Sequence, residues 1–251
     1  MKIAFYTLGC KVNQYETDLM IKKFKDRGYT ICDFENIADI YVINSCSVTN
    51  LSTRKSRQYL SRAKAKGGIV VLAGCYSQEV LGDKQLKNVD IVIGNQEKDD
   101  IVEIVERYVN EKNKKVTYKV SDISKAKRYI QTGMLTQGLQ VRESVKIEDG
   151  CNNFCTYCII PYVRGRVRSR SLEKIEEEVK ELVKSGVGEV VLVGIEIASY
   201  GKDLEQDISL IDVIEKINKI KGLKRIRLGS IEPRVLTKEN IIRMSRCEKL
   251  C

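Results

Sequence analysis

Short apolar runs rich in β-branched residues recur along this chain, each followed by a stretch with helical spacing. That alternation restricts the fold more than any other feature. Residues 3–7, 40–44, 69–73 and 90–94 read as strands. Tyr15, Leu19, Met20 and Phe24 recur at helical spacing up to Gly28, and residues 51–66 read as a second helix. A helical segment follows Ser77, and Ile101, Val102, Val105, Tyr108 and Val109 share one helical face. Strands separated by helices pair in parallel under helical layers, so the α/β fold class follows, with residues 1–110 expected to form a doubly wound parallel sheet domain.

From 111 to 142 the chain is polar and Lys-rich without sustained periodicity, and it is expected to link two domains. A second alternation then begins. Residues 145–148 read as a strand, and Ile175, Val179, Leu182 and Val183 as a helix closed by Gly186. A strand at 189–193, a helix carrying Ile211, Ile214 and Ile217, a strand at 224–229 and a last helix from about Thr237 complete residues 143–251. Three β/α units make half of a barrel, with an open sheet edge.

The chain has nine cysteines and no histidine. An odd cysteine count in a long chain with no secretion signal argues against a disulfide framework. The absence of histidine excludes His-based triads and His-containing zinc sites. Cys151, Cys155 and Cys158 are spaced x-x-x and x-x in a loop marked by Gly150, Asn152 and Asn153. Chance gives such a spacing roughly 1% of the time at this cysteine content. No fourth Cys or His follows as zinc would require, whereas three thiolates suit a [4Fe–4S] cluster with one iron left open. Cys10, Cys46 and Cys75 form a second set, each lying two or three residues beyond a strand, in FYTLGC, YVINSC and VVLAGC. Strand ends of an open parallel sheet share one edge, so these three are expected to converge as a second cluster site. Cys32 reads as core, and Cys247 and Cys251 are given no role.

With Tyr157 before its last cysteine, the Cys151–Cys155–Cys158 motif resembles the radical S-adenosylmethionine (SAM) signature. Together with GCKVNQYET, NSCSVT, VVLAGCYSQ and IPYVRGRVRSRS, it resembles the methylthiotransferase family. GCKVNQYET is most similar to the branch that converts N6-threonylcarbamoyladenosine in tRNA to its 2-methylthio derivative. The resemblance implies that residues 143–251 are the first half of a radical SAM (β/α)6 partial barrel. It also implies that the family's remaining barrel units and its RNA-binding TRAM domain lie beyond what is present here. Two [4Fe–4S] clusters and SAM are the implied cofactors. The first cluster, on Cys151, Cys155 and Cys158, would cleave SAM to a radical that takes the hydrogen from adenine C2. The second, on Cys10, Cys46 and Cys75, would supply or carry the inserted sulfur. Tyr157, Glu196, Ser230 and Glu232 match positions where relatives contact SAM, and no residue beyond the cluster ligands is singled out as catalytic.

Sister branches act on isopentenyladenosine in tRNA or on a ribosomal protein aspartate. An iron–sulfur electron carrier and a plain RNA-binding module are the non-enzymatic alternatives. Lys and Arg outnumber Asp and Glu by 44 to 34, a formal charge of +10. Arg164, Arg166, Arg168 and Arg170 alternate just after the cluster loop and are expected to contact phosphate, with a tRNA anticodon loop as partner. Arg54, Lys55, Arg57, Arg62, Lys64 and Lys66 load one helix without an acid. An electron donor protein is a further expected partner. No run approaches the ~18 apolar residues of a membrane helix, so no membrane is expected and the location is read as cytoplasmic.

Overall fold

The computed structural model describes residues 1–80, 86–111, 115–130, 133–135 and 141–251. The chain divides into two units: Met1–Ala126 with Cys155–Arg164, and Lys127–Phe154 with Gly165–Cys251. In the first unit the elements are β1 (Lys2–Thr7), α1 (Lys11–Asp26), β2 (Thr30–Cys32), β3 (Ile40–Ser45) and α2 (Asn50–Ala65). They continue with β4 (Ile69–Gly74), α3 (Cys75–Glu79), β5 (Ile91–Ile93), α4 (Ile101–Asn110), β6 (Thr117–Lys119) and the later α5 (Ile160–Arg164). The six strands are parallel in the order β2-β1-β3-β4-β5-β6. This is a doubly wound order, and the winding reverses between β1 and β3.

Every residue of β3 is buried, because helices cover both faces of a central parallel strand. Successive side chains point to opposite faces. Ile40 and Val42 join a core with Met20 and Phe24 of α1 and Ile101 and Val105 of α4. Tyr41 and Ile43 join the opposite core with Leu60 and Ala63 of α2 and Tyr76 of α3. α1 stops in a Schellman turn, where Gly28 N–H donates to Lys25 O at 2.9 Å and Tyr29 N–H to Phe24 O at 3.0 Å. The Tyr29 ring then packs edge-on against Phe24.

In the first unit, α3 and the linker differ from the sequence reading. α3 begins at Cys75 itself, not after Ser77. Inside the expected linker, residues 117–119 pair with β5 from Ile91↔Thr117 to Ile93↔Lys119. A three-residue edge strand is too short to carry a periodic signal. Residues 112–114, 131–132 and 136–140 of that stretch lie outside the described residues.

The second unit contains β7 (Arg142–Lys146), β8 (Glu148–Asp149), β9 (Arg168–Ser169), α6 (Leu172–Lys184) and β10 (Glu189–Val193). It ends with α7 (Leu210–Asn218), β11 (Arg225–Leu228) and α8 (Lys238–Ser245). Its main sheet is parallel, in the order β11-β10-β7, and β8 and β9 form a separate antiparallel pair. Ser171 caps α6, and Ser209 with Asp212 forms a capping box on α7. α6 buries Ile175, Val179 and Leu182, and α7 buries Ile211, Ile214 and Ile217. The edge of β11, expected to be open, is partly paired: Ile226 N–H donates to Lys249 O at 2.7 Å and Cys251 N–H to Ile226 O at 3.0 Å. Among the described residues no helix is long and apolar enough to cross a membrane.

Candidate functional site

Sheet register in the first unit brings the ends of β1, β3 and β4 level, with Thr7 opposite Asn44 and Asn44 opposite Ala73. Cys10 lies three residues beyond this line and caps α1, Cys46 lies two beyond it, and Cys75 opens α3. The three cysteines therefore share the carboxyl edge of the sheet, and Cys10 and Cys46 flank the point where its winding reverses. Asn13 ties the loops together: its amide donates to Leu8 O at 2.7 Å and to Ser45 O at 2.9 Å. A Cβ on Gly9 would come within 2.9 Å of Cys46 Cβ, and one on Gly74 within 2.3 Å of Ser45 O. Both glycines have positive φ, so the backbone there is held close by residues that glycine alone accommodates without strain.

Cys10 is exposed, whereas Cys46 and Cys75 are buried. Asn44 Oδ1 and Ser47 Oγ are buried at this edge without a hydrogen-bond partner. Among the described residues, no three Cys, Asp or Glu side chains converge closely enough to hold a single metal ion. A cluster spreads its cysteines over separate irons, so thiolates along a sheet edge, beside unsatisfied polar atoms, suit one better than a lone ion.

Behind Cys75 lies a charged network that sequence reasoning missed. Arg164 is fully buried, and its Nε–H donates to Cys75 Sγ at 3.2 Å. Its two Nη groups donate to Glu16 and to Asn13 Oδ1, and buried Lys98 donates to the other Glu16 oxygen. Burial pushes the Cys75 thiol up, and the Arg164 and Lys98 charges oppose that. Burial pushes Lys98 down, with Glu16 opposing.

The alternating arginines do not form a phosphate-binding row. Arg164, Arg168 and Arg170 are buried, with Glu16, Asp149 and Glu178 as their ion-pair partners. Only Arg166 of the four is exposed, its guanidinium 4.2 Å from the Phe154 ring centroid. The basic face of α2 is also largely partnered. Arg57 donates to the Tyr76 hydroxyl at 2.6 Å, Arg62 pairs with Glu35 and Lys64 with Asp90, while Lys66 donates to Phe34 O at 2.5 Å.

Cys155 and Cys158 belong to the first unit, where Cys158 N–H donates to Cys155 O at 2.9 Å. Cys155 is exposed, Cys158 half-buried, and the neighbouring Tyr157 is 90% exposed. Cys151 belongs to the second unit; it is buried, and its N–H donates to Gly165 O at 3.0 Å.

In the second unit, β10 and β11 carry Glu196 and Glu232 beyond their carboxyl ends. The structure brings these two together through Asn153, whose amide donates to Glu232 Oε1 at 2.7 Å and to Glu196 Oε2 at 3.5 Å. Arg234 donates to Asn153 Oδ1 at 2.9 Å and pairs with Glu232 at 2.8 Å. Burial raises the Glu196 pKa, and the Glu232 carboxyl raises it further. Ser230 is exposed. Asn153 and Arg234 were not singled out from sequence, although each adjoins a motif that was. Beneath this group, Glu148 accepts from Glu196 N–H at 2.8 Å, leaves Oε1 without a partner, and is pushed by burial up to about 8.

Residues 2–94 match the model of an uncharacterized protein family, UPF0004, and residues 145–249 that of the radical SAM superfamily. The threonylcarbamoyladenosine tRNA methylthiotransferase MtaB of Aquifex aeolicus is 43% identical over 95% of this chain and 58% of its own length. Its Bacillus subtilis counterpart is 40% identical over 99% of this chain and 55% of its own length. A tRNA-2-methylthio-N(6)-dimethylallyladenosine synthase of Clostridium botulinum is 34% identical over 98% of this chain and 56% of its own length. The chain thus spans somewhat more than half the length of the curated relatives it matches. Among solved structures, the radical SAM methyltransferase TsrM of Kitasatospora setae aligns over 99% of this chain and 57% of its own. The TM-score is 0.64 at 13% identity, a likeness of fold.

Proposed function

The chain belongs to the radical SAM methylthiotransferase family, and from that premise we propose that it serves tRNA modification. Its reaction is the insertion of sulfur and a methyl group at C2 of N6-threonylcarbamoyladenosine beside the anticodon. Radical SAM membership implies one [4Fe–4S] cluster and SAM; the second cluster is part of the proposal. The observation that carries this reading is the convergence of Cys10, Cys46 and Cys75 on one sheet edge, in a chain that also bears the Cys151–Cys155–Cys158 motif.

Cys151, Cys155 and Cys158 hold the radical SAM cluster, and Cys10, Cys46 and Cys75 the other. Bound together, the first cluster and SAM supply one-electron chemistry able to break an unreactive C–H bond. The polar group of Asn153, Glu196, Glu232 and Arg234 offers both carboxylates and a guanidinium, which suits the ammonium and carboxylate of a bound amino acid moiety. Tyr157 presents an exposed ring to the adenine, and Ser230 a hydroxyl to the ribose. Arg166 supplies a phosphate contact to the tRNA. A protein electron donor feeds the clusters, in the cytoplasm.

The test is anaerobic reconstitution followed by incubation with SAM, reductant, a sulfide source and tRNA carrying N6-threonylcarbamoyladenosine, with mass spectrometry of the digested nucleosides. The 2-methylthio derivative is the expected product. Methylthiolation of isopentenyladenosine instead would move the chain to the sister branch. SAM cleavage without any tRNA product would overturn the substrate assignment.

A further inference from the structure

Arg164 follows Cys158 by six residues and is the last residue of the segment that belongs to the first unit. Its guanidinium has no solvent exposure, and it donates to Cys75 Sγ, Glu16 and Asn13. Lys98, also buried, meets the same Glu16. Two cations, one carboxylate and one cysteine sulfur face one another here. Cations in a low-dielectric interior are costly unless matched by negative charge. The Arg164 N–H···S bond and the nearby Lys98 ammonium both favour negative charge on the Cys75 sulfur, the charge a metal-bound thiolate carries.

We propose that Arg164 is a positioning residue that sets the reduction potential of an iron–sulfur cluster held by Cys10, Cys46 and Cys75. It acts through its N–H···S hydrogen bond to Cys75, with Asn13, Glu16 and Lys98 fixing its place. This rests on the proposed cluster at those three cysteines. Net charge and hydrogen bonds to the sulfurs are established determinants of cluster potential. An electron added to the cluster adds negative charge beside the guanidinium, so Arg164 favours the reduced form. Glu16 lies behind the guanidinium and tempers it, so the two residues act with opposite sign. A purely structural ion pair has no such signature: its loss on either side would loosen the fold in the same direction.

The test uses the full chain with Cys151, Cys155 and Cys158 replaced by Ala, so that a single cluster is read. After anaerobic reconstitution, iron content is measured and the cluster is titrated with dithionite under electron paramagnetic resonance. Arg164→Gln is expected to keep its iron and shift the potential to more negative values, Arg164→Lys to shift it less, and Glu16→Gln to shift it to more positive values. Equal potentials in all four proteins at full iron, or shifts of Arg164→Gln and Glu16→Gln in the same direction, would overturn the proposal. Should Arg164→Gln fail to take up iron, the opposite signs required of Arg164→Lys and Glu16→Gln still decide. A parent protein without iron would sink the cluster reading itself, and this inference with it.

Discussion

Arg164, Arg168 and Arg170 show how far a charge pattern can be read without its partners. Their alternation suggests one exposed row, but the acids that claim them lie elsewhere: Glu16 is 148 positions from Arg164, and Glu178 is eight from Arg170. Only folding brings those carboxylates in, so the burial of these arginines was not legible in the sequence. Breaking a buried pair leaves a charge without its counterion, at about 3–5 kcal/mol. Arg170→Ala is therefore expected to lower the urea midpoint of the second unit sharply. Arg166→Ala should leave stability within ~0.5 kcal/mol, and should weaken tRNA binding and reduce the salt slope by about one. Glu148 gives a pH signature of definite sign. Its folded pKa, about 8, stands above the ordinary 4.5. The stability tied to its neutral form is fully present below the ordinary value and is lost as the pH climbs through about 8, up to ~5 kcal/mol in total. Urea midpoints of wild type and Glu148→Gln, compared from pH 5 to pH 9, should diverge in favour of the variant as the pH rises.

At the scale of elements, β1, β3, β4 and β5 were legible because each is an apolar run followed by a helical stretch. The cysteine positions were legible for a related reason, since parallel strands end on a common edge whatever their separation in sequence. β6, α5 and the β8–β9 pair were not, being only two to five residues long and without a period to detect. The polar group around Glu196 and Glu232 was half legible: the two glutamates follow strands, but Asn153 and Arg234 reach them from separate loops. The turn from β4 into α3 carries its own prediction. Gly74→Ala would force a side chain into positive φ and against Ser45 O, so a loss of at least 1–3 kcal/mol is expected. Thermal unfolding would measure that loss, and iron uptake at the Cys75 side should fall with it.

For the whole molecule, the two proposed clusters, on two sets of three cysteines, predict the iron content. About eight irons and eight sulfides per reconstituted chain are expected, and about four after either set is changed to Ala. Four in the unaltered protein would remove the second cluster. The first unit is also discontinuous: it takes Met1–Ala126 and then recovers Cys155–Arg164 after the chain has left it. Synthesis is vectorial, so the sheet of that unit leaves the ribosome well before α5 does. About 40 residues separate Ala126 from Arg164, roughly 2–8 s of elongation. During that interval Cys75 lacks its guanidinium, and α3 lacks the helix that packs on it. The birth of the protein thus includes a short period in which the deepest of the three sheet-edge cysteines is still uncovered.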